Sequence, residues 1–223
     1  MENLVKRTIP SQIINLAKST GLLAIYKKIR STKYYYLGRA YQPGETSKAR
    51  QRRIREGFFL KYCQGTGLDI GYGGDLLAIN CRGWDYEHGD AQYLQGINES
   101  EYDFVYSSHT LEHLPFPEVA ILNWWKVLKP GGYLILYVPH RDLYEKKTTL
   151  PSRWTPEHKH FFLLDRDEQP NTLGMIPFLT RNLSNHEIVE AKICNEGHSI
   201  RDPEIHSDGE YSIEVIIRKV QPL

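Results

Sequence analysis

The glycine-rich turn at residues 71–74 constrains the fold of this chain more than any other feature. Residues 67–70 (Gly-Leu-Asp-Ile) predict a short buried strand, and the turn follows it directly. Because glycine has no Cβ, the backbone can turn sharply there and approach a ligand closely. Open α/β sheets bind ligands at the carboxyl ends of their strands, which is where this turn lies. A strand-to-helix turn without a ligand is the alternative interpretation.

The segments after the turn alternate between strand and helix patterns. Residues 117–128 carry apolar side chains at helical spacing, begin with proline and end at a Lys-Pro-Gly-Gly stretch. Further strands are predicted at residues 103–107, 133–138, 186–193 and 211–218. This order predicts an α/β fold with a mostly parallel central sheet and flanking helices.

Residues 1–61 differ from the rest of the chain in charge. They hold 14 lysines and arginines against three acids, whereas residues 62–223 hold 14 against 24. We predict a basic helical N-terminal extension or cap at 1–61, with breaks near Gly21 and at 41–46. A basic segment of this kind attracts anionic substrates, nucleic acid or anionic lipid, or docks onto the acidic body of its own chain. The sequence leaves these alternatives open.

Composition bears on whether the chain enters a membrane and on the redox state of its compartment. No apolar run approaches the roughly 18–20 residues that a membrane-spanning helix needs. The cysteines, Cys63, Cys81 and Cys194, are odd in number and far apart, which fits neither a disulfide framework nor a paired zinc site. A reducing cytoplasm is therefore the expected location.

Three further segments follow the turn in a fixed order. They are residues 84–91, with a Gly-Asp-Ala element; residues 102–114, with a Ser-Ser-His-Thr-Leu-Glu-His stretch; and residues 127–139, which begin Val-Leu-Lys-Pro-Gly-Gly. Together with the turn they resemble the class I S-adenosylmethionine-dependent methyltransferases, most closely the type 11 group, over roughly residues 65–140. The resemblance implies a Rossmann-like methyltransferase fold, S-adenosylmethionine as cofactor, and a methyltransferase domain at residues 62–223.

The resemblance also implies which residues hold the methionine end of the cofactor. Asp69 would face its ammonium group, and the backbone at Gly71 and Gly73 would face its carboxylate, because these are the complementary charges. Ser107 and His109 would lie beside the transferable methyl group, after the fourth strand of such a fold.

The nucleoside end of the cofactor is assigned in the same way. The resemblance implies that Asp85 accepts hydrogen bonds from the ribose hydroxyls, and that Asp90 and the amide of Ala91 meet the adenine amino edge. Only ten residues separate Gly74 from Asp85, too few for a full helix and a full strand. The sheet is therefore predicted to be shortened in the region of its second and third strands.

Histidines are the candidate bases, because their reference pKa of about 6.5 suits proton removal near neutral pH. His109 follows the fourth strand and His140 follows the fifth, so these two are the predicted catalytic residues. His113 lies in the Leu-Glu-His turn, where a histidine more often packs or caps. His158 and His160 complete the set.

Residues 139–185 are predicted to form an irregular acceptor loop or lid. Guanidinium groups bind phosphate or carboxylate in a bidentate way, so cations in this segment are candidate anion ligands. The predicted acceptor-binding residues are Arg141, Tyr144, Arg153, His158, Lys159 and His160. A solvated loop that packs Trp154 and Phe161 into the core is the alternative. His140, His158 and His160 raise the question of a metal, but no metal is assigned, because neither cysteine nor a fixed histidine spacing supports one.

Three functions follow from these observations. The first is O-methylation of a small polar or anionic metabolite: a sugar, a nucleotide sugar, or a phosphorylated or phosphonate compound. The second is nucleic-acid methylation, favoured by the basic extension but opposed by Ser-Ser-His-Thr at 107–110, which is unlike the Asn/Asp-Pro-Pro-Tyr run of amino-methylating enzymes. The third is a non-catalytic cofactor-binding protein of the same fold. A nicotinamide oxidoreductase is disfavoured by the glycine spacing.

Overall fold

The structure of the protein is a computed structural model that describes residues 44–221. The extension predicted at 1–61 is therefore described only from residue 44 onward, and the break predicted near Gly21 lies outside the described residues. Among the helices of this part of the chain, none combines the length and apolar character needed to cross a bilayer.

A six-stranded sheet forms the centre of the molecule, in the order β2-β1-β3-β4-β8-β7. Its strands are β1 (Gly67–Ile70), β2 (Cys81–Trp84), β3 (Tyr102–Ser108), β4 (Leu128–Pro139), β7 (His186–Cys194) and β8 (Ser212–Lys219). The first four strands in this order are parallel, whereas β8 runs antiparallel to both of its neighbours. This confirms the predicted α/β fold with a mostly parallel sheet.

The sheet is short on the β2 side, as the spacing of the sequence predicts. Strand β2 has four residues, and residues 85–101, which separate it from β3, form turns and contribute no strand. Residues 71–80, between β1 and β2, form turns where a full helix is usual in such folds. The turns leave the carboxyl ends of β1 and β2 uncovered by a helix.

Helices and a small second sheet cover the two faces. The helices are α1 (Glu45–Lys48), α2 (Arg50–Arg55), α3 (Phe58–Tyr62), α4 (Pro117–Val127), α5 (Arg141–Tyr144) and α6 (Met175–Asn182), and the second sheet pairs β5 (Phe161–Leu163) with β6 (Thr172–Gly174). Trp124 of α4 is fully buried in one core cluster, and Phe58 of α3 belongs to another. Burying a side chain of this size stabilises the fold by about 1.5–3 kcal/mol.

The sequence of residues 47–62 predicts one basic helix with Ile54, Phe58 and Phe59 on one face, but this segment forms separate helices in the structure. Gly57 adopts a left-handed conformation with φ of 67° and separates α2 from α3. The chain changes direction there, so Ile54 is 51% exposed while Phe58 is 1% exposed.

The segment predicted as an irregular loop or lid, 139–185, is largely ordered and packed. It contains α5, β5, β6 and α6, and the side chains of Phe162 and Met175 are fully buried. Its irregular part is confined to residues 145–160, the turn at 164–171 and the last residues after α6.

Candidate functional site

A cleft of about 660 Å³ lies at the carboxyl ends of β1, β2 and β3. Six residues predicted from the sequence line it: Gly71, Gly73, Asp85, Asp90, Ala91 and His109. The structure thus brings together one wall from the glycine turn, one from the segment after β2 and one from the segment after β3. The volume falls in the range of roughly 300–1,000 Å³ typical of ligand pockets.

The two glycines of the turn serve different purposes. Both have positive φ, 72° at Gly71 and 58° at Gly73, a conformation that side chains with a Cβ disfavour. A Cβ at Gly71 would lie 1.9 Å from Thr110 Oγ1, whereas at Gly73 the nearest atom would be 3.9 Å away. Gly71 is therefore needed for close packing between the turn and the segment after β3, and Gly73 for the backbone conformation alone.

Asp85 closes the turn from the side of β2. Its Oδ2 accepts a hydrogen bond from the Gly73 amide at 3.2 Å, and its Oδ1 accepts one from the Tyr86 amide at 2.9 Å. Asp90 is exposed, and its Oδ1 accepts from the Gln92 amide at 2.8 Å. Each carboxylate oxygen has more than one acceptor position, so both aspartates keep capacity for a hydroxyl or amino group of a ligand.

Asp69 and Ser107 do not line the cleft, although both were predicted as cofactor ligands. Asp69 points to the face of β1 opposite Leu68 and Ile70, because successive side chains of a strand alternate. It is fully buried, and its Oδ2 accepts from the Leu77 amide at 2.7 Å. Burial raises the pKa of the Asp69 carboxyl well above its usual value. Ser107 Oγ donates to the Ile70 carbonyl at 3.2 Å, so both side chains support the turn from within the sheet.

His109 lines the cleft directly after β3. Its backbone has φ of 46°, and its amide donates to the Tyr137 carbonyl at 2.8 Å. Its Nε2 lies 2.8 Å from Ser212 Oγ on β8. Burial lowers the pKa of His109 to about 4, only partly opposed by Glu45, so the imidazole is neutral at neutral pH.

His140, which the sequence predicts as a second base, occupies a helix-capping position in the structure. It precedes α5, where its Nδ1 accepts from the Asp142 amide at 3.2 Å as a helix cap, and its own amide donates to the Tyr211 carbonyl. It is buried and does not line the cleft.

The cations predicted to bind the acceptor are engaged elsewhere. Arg141 is buried and pairs with Asp142 at 2.7 Å and with Glu168 at 2.5 Å. Arg153 pairs with Glu204 at 2.6 Å. Both guanidinium groups, predicted as acceptor ligands, thus have carboxylate partners within their own chain.

The remaining predicted acceptor ligands fall into two groups. Lys159 and His160 line a separate cleft of about 480 Å³, beside Pro117 of α4 and Arg181 of α6. Tyr144 and His158 do not line the cleft of about 660 Å³ but lie close to two histidines that do. The Tyr144 ring centroid is 6.4 Å from that of His109, and the His158 centroid is 4.7 Å from that of His113.

Sequence reasoning missed several residues of the cleft. Tyr86, 85% exposed, follows the predicted Asp85 directly, and an aromatic residue in that position was the available signal for a wall beside a nucleoside. Thr110 and Leu114 also line the cleft; both lie in the 102–114 segment that carries the resemblance, but neither was assigned a role.

The family of the protein follows from this geometry and from comparison with known proteins. A family model described as a methyltransferase domain matches residues 19–136, more than half of the chain. The chain therefore belongs to this family of class I S-adenosylmethionine-dependent methyltransferases. None of the curated proteins matches the chain.

Two of the solved structures with a similar fold are described as S-adenosylmethionine-dependent methyltransferases. An S-adenosylmethionine-dependent methyltransferase from Archaeoglobus fulgidus is 17% identical, with 78% of this chain and 94% of that chain covered and a TM-score of 0.50. One from Thermotoga maritima is 16% identical, with 77% and 98% covered and a TM-score of 0.43. The first likeness supports the Rossmann-like methyltransferase fold.

The cofactor of this family, S-adenosylmethionine, fits the residues of the cleft. In this cofactor cleft, as we call it, the glycines that the positive φ angles favour leave one wall without Cβ atoms. The carboxylates of Asp85 and Asp90 provide acceptors for hydroxyl and amino groups on another wall. His109 closes the third side, with Thr110 next to it.

Proposed function

We propose that this S-adenosylmethionine-dependent methyltransferase methylates an oxygen of a small polar metabolite. The acceptors considered are a sugar, a nucleotide sugar, or a phosphorylated or phosphonate compound. One observation carries the proposal: a neutral imidazole, that of His109, lines the same cleft as the glycine turn and lies 2.8 Å from Ser212 Oγ.

Methyl transfer requires little covalent chemistry from the protein. S-adenosylmethionine supplies a methyl group on a positively charged sulfur. With both bound, the acceptor oxygen would form the new bond to the methyl carbon, and the electron pair of the broken bond would return to sulfur. His109 receives the acceptor's hydroxyl proton, which a neutral imidazole can do and an imidazolium cannot. With a pKa of about 4 it is a weak base, so positioning of the two reactants supplies much of the acceleration.

Among the acceptors considered, the contacts favour a neutral polar one such as a sugar. Arg141 and Arg153 are neutralised by Asp142, Glu168 and Glu204. Lys159 lies on the separate cleft of about 480 Å³. An anionic acceptor would have to compete with these ion pairs, whereas a hydroxyl group needs only a neutral partner such as the Thr110 side chain, which lines the cofactor cleft.

Methylation of nucleic acid has less support. Arg52 and Arg53 of the basic extension are buried and pair with Glu210 and Glu214 of the acidic body. From residue 44 onward, part of the positive charge of the extension is therefore paired within its own chain and does not form an exposed phosphate-binding face.

The test is turnover against a panel of neutral sugars, nucleotide sugars, phosphorylated compounds and oligonucleotides, with S-adenosylhomocysteine formation as the readout. We expect turnover with a hydroxyl acceptor, strongly reduced in His109→Asn and unchanged in a control, His186→Asn, on strand β7. Turnover with oligonucleotides alone would reject the proposal. Tight binding of S-adenosylhomocysteine without turnover on any acceptor would favour the non-catalytic alternative.

A further inference from the structure

Glu112, His113 and His158 form a cluster next to the cofactor cleft. One ligand atom from each side chain lies within 4.8 Å of the other two. Glu112 and His113 belong to a short 3₁₀ helix, Leu111–His113, after β3. His158 lies 45 residues further along and is held there because the Lys159 amide donates to the Glu112 carbonyl at 2.7 Å.

The Glu112 carboxylate lacks the partners that a buried carboxylate normally has. The residue is fully buried, and within residues 44–221 neither oxygen has a hydrogen-bond partner in another residue. The nearest imidazole nitrogens are His109 Nδ1 at 3.8 Å and His158 Nε2 at 3.9 Å from Oε1, both too long for hydrogen bonds. An unpaired carboxylate is costly inside a protein, and a cation between these atoms removes that cost.

His158 is oriented as a metal ligand usually is. Its Nδ1 lies 2.7 Å from Glu145 Oε1, and Glu145 is itself buried and accepts from Ser152 Oγ at 2.6 Å. This contact fixes the ring and leaves Nε2 on the side of Glu112. Metal-bound histidines typically donate their second ring N–H to a carboxylate in this manner.

From these observations we infer that Glu112, His113 and His158 bind one divalent cation of the zinc type, with Glu145 as a positioning residue. Two imidazoles and one carboxylate are the donor set of catalytic zinc sites that keep a fourth position open. His113 lines the cofactor cleft, so that position lies on the acceptor side. If the proposed O-methylation holds, the cation would bind the acceptor oxygen there and favour loss of its proton. The binding of the cation itself does not depend on that function.

The test uses tag-free protein dialysed against a chelator and titrated with zinc chloride alone, in competition with a chromogenic chelator. We expect one zinc per chain. Glu112→Gln and His158→Ala should each weaken binding at least tenfold, and Glu145→Gln by about 10–100-fold, the usual effect of losing such an outer partner. His186→Ala removes a histidine away from the cluster and should bind zinc as the wild type does. Mg²⁺ should not compete, because nitrogen ligands disfavour it.

Several results would overturn the inference. Wild-type protein that binds less than one zinc per chain at micromolar zinc excludes the site without reference to any variant. So does wild-type affinity in Glu112→Gln or His158→Ala, with circular dichroism and S-adenosylhomocysteine titration confirming that the variants are folded. Zinc binding that leaves turnover on hydroxyl acceptors unchanged overturns only the role of the cation. Failure of every acceptor leaves the zinc titration unaffected, so the two proposals fail separately.

Discussion

Two fully buried glutamates show opposite behaviour in this protein. Glu214, on β8, pairs with Arg53 at 2.6 Å and with Arg52 at 2.8 Å. Glu112, beside the cleft, has no ion-pair partner within 3.5 Å in the described part of the chain. Burial opposes ionisation of Glu214, yet Arg53 and Arg52 outweigh it and lower its pKa to about 2, whereas burial raises the pKa of Glu112 to about 8.

The difference shows that burial alone does not define the role of a charged group. Arg52, Arg53, Glu210 and Glu214 form what we call the arginine–glutamate cluster, in which each charge has an opposite charge within 3 Å. Such a cluster is complete without a ligand and holds α2 on the sheet. Both oxygens of the buried Glu112 carboxyl lack a hydrogen-bond partner in another described residue, and this is the observation behind the cation site that we propose.

The largest expected effect comes from making the same substitution at both glutamates. Glu214→Gln leaves two buried guanidinium groups short of a negative charge and should lower the free energy of unfolding by about 3–5 kcal/mol. Glu112→Gln replaces a carboxyl that burial already keeps protonated and should cost less than about 1 kcal/mol in metal-free buffer. Urea unfolding of both variants with chelator present measures the difference. Equal losses would show that pairing does not distinguish the two sites.

The next effect concerns catalysis at the cleft. His109→Asn removes the imidazole but keeps a residue type that tolerates the φ of 46°, so the fold should survive. We expect kcat to fall by about 10²–10⁴-fold, the usual contribution of a general base, with little change in S-adenosylhomocysteine affinity. His140→Asn is the matched control, because asparagine also caps helices well. If His140→Asn lowers kcat as much as His109→Asn, the cleft has been assigned the wrong base.

A smaller effect separates the two glycines of the turn. Gly73→Ala should cost about 1–2 kcal/mol for a left-handed alanine, equivalent to roughly a tenfold loss when it falls on cofactor affinity. Gly71→Ala should cost more, because its Cβ also collides with Thr110 Oγ1 at 1.9 Å. Calorimetric titration with S-adenosylhomocysteine measures the affinity loss of each variant. A larger loss in Gly73→Ala would contradict the packing role of Gly71.

The smallest effect at accessible pH is the acid sensitivity of the arginine–glutamate cluster. The pKa of Glu214 is about 2 in the folded protein, against 4.5 as the ordinary value. Its contribution to the free energy of unfolding is therefore present above pH 4.5 and is lost as the pH falls toward 2. Lys192 of β7, 3.8 Å from Glu214, adds to the same trend.

Thermal unfolding of wild type and Glu214→Gln between pH 7 and 3 isolates this contribution. The melting temperatures of the two proteins should change in parallel from pH 7 to 5. They should converge below about pH 4.5, since only the wild type loses the pairing. The buried Asp69, whose raised pKa gives an opposite trend, is present in both proteins and cancels in the difference. A constant gap down to pH 3 would contradict the pairing.

Much of the fold is predictable because its determinants are local. Residues 133–138 are continuously apolar, as a covered parallel strand must be, and helix α4 begins with proline and ends where the sequence predicts within one residue. Strand β2 was missed, because its sequence Cys-Arg-Gly-Trp carries no strand pattern and its pairing with β1 alone defines it.

Site residues were predictable from the sequence only where a motif directly follows the end of a strand. The glycine turn and His109 follow strand ends, so topology alone places them at the cleft. The functions of His140 and Arg141 depend on a one-turn helix and on Glu168, 27 residues away, which no periodicity reveals. The contact of Glu112 with His158 likewise exists only in three dimensions.

Strand β8 is synthesised late, yet it supplies contacts to residues that are synthesised early. Ser212, which contacts His109, and Glu214, which pairs with Arg53, lie on the same face of this strand, two residues apart. Ser212 and Glu214 are synthesised after all of the residues of the glycine turn, after His109 and after helix α2. A ribosome-bound chain that stops before residue 212 therefore carries every side chain of the cleft, yet it lacks the Ser212 contact to His109 and the Glu214 charge that pairs with α2. The base that we propose is thus held in place only after β8 has joined the sheet.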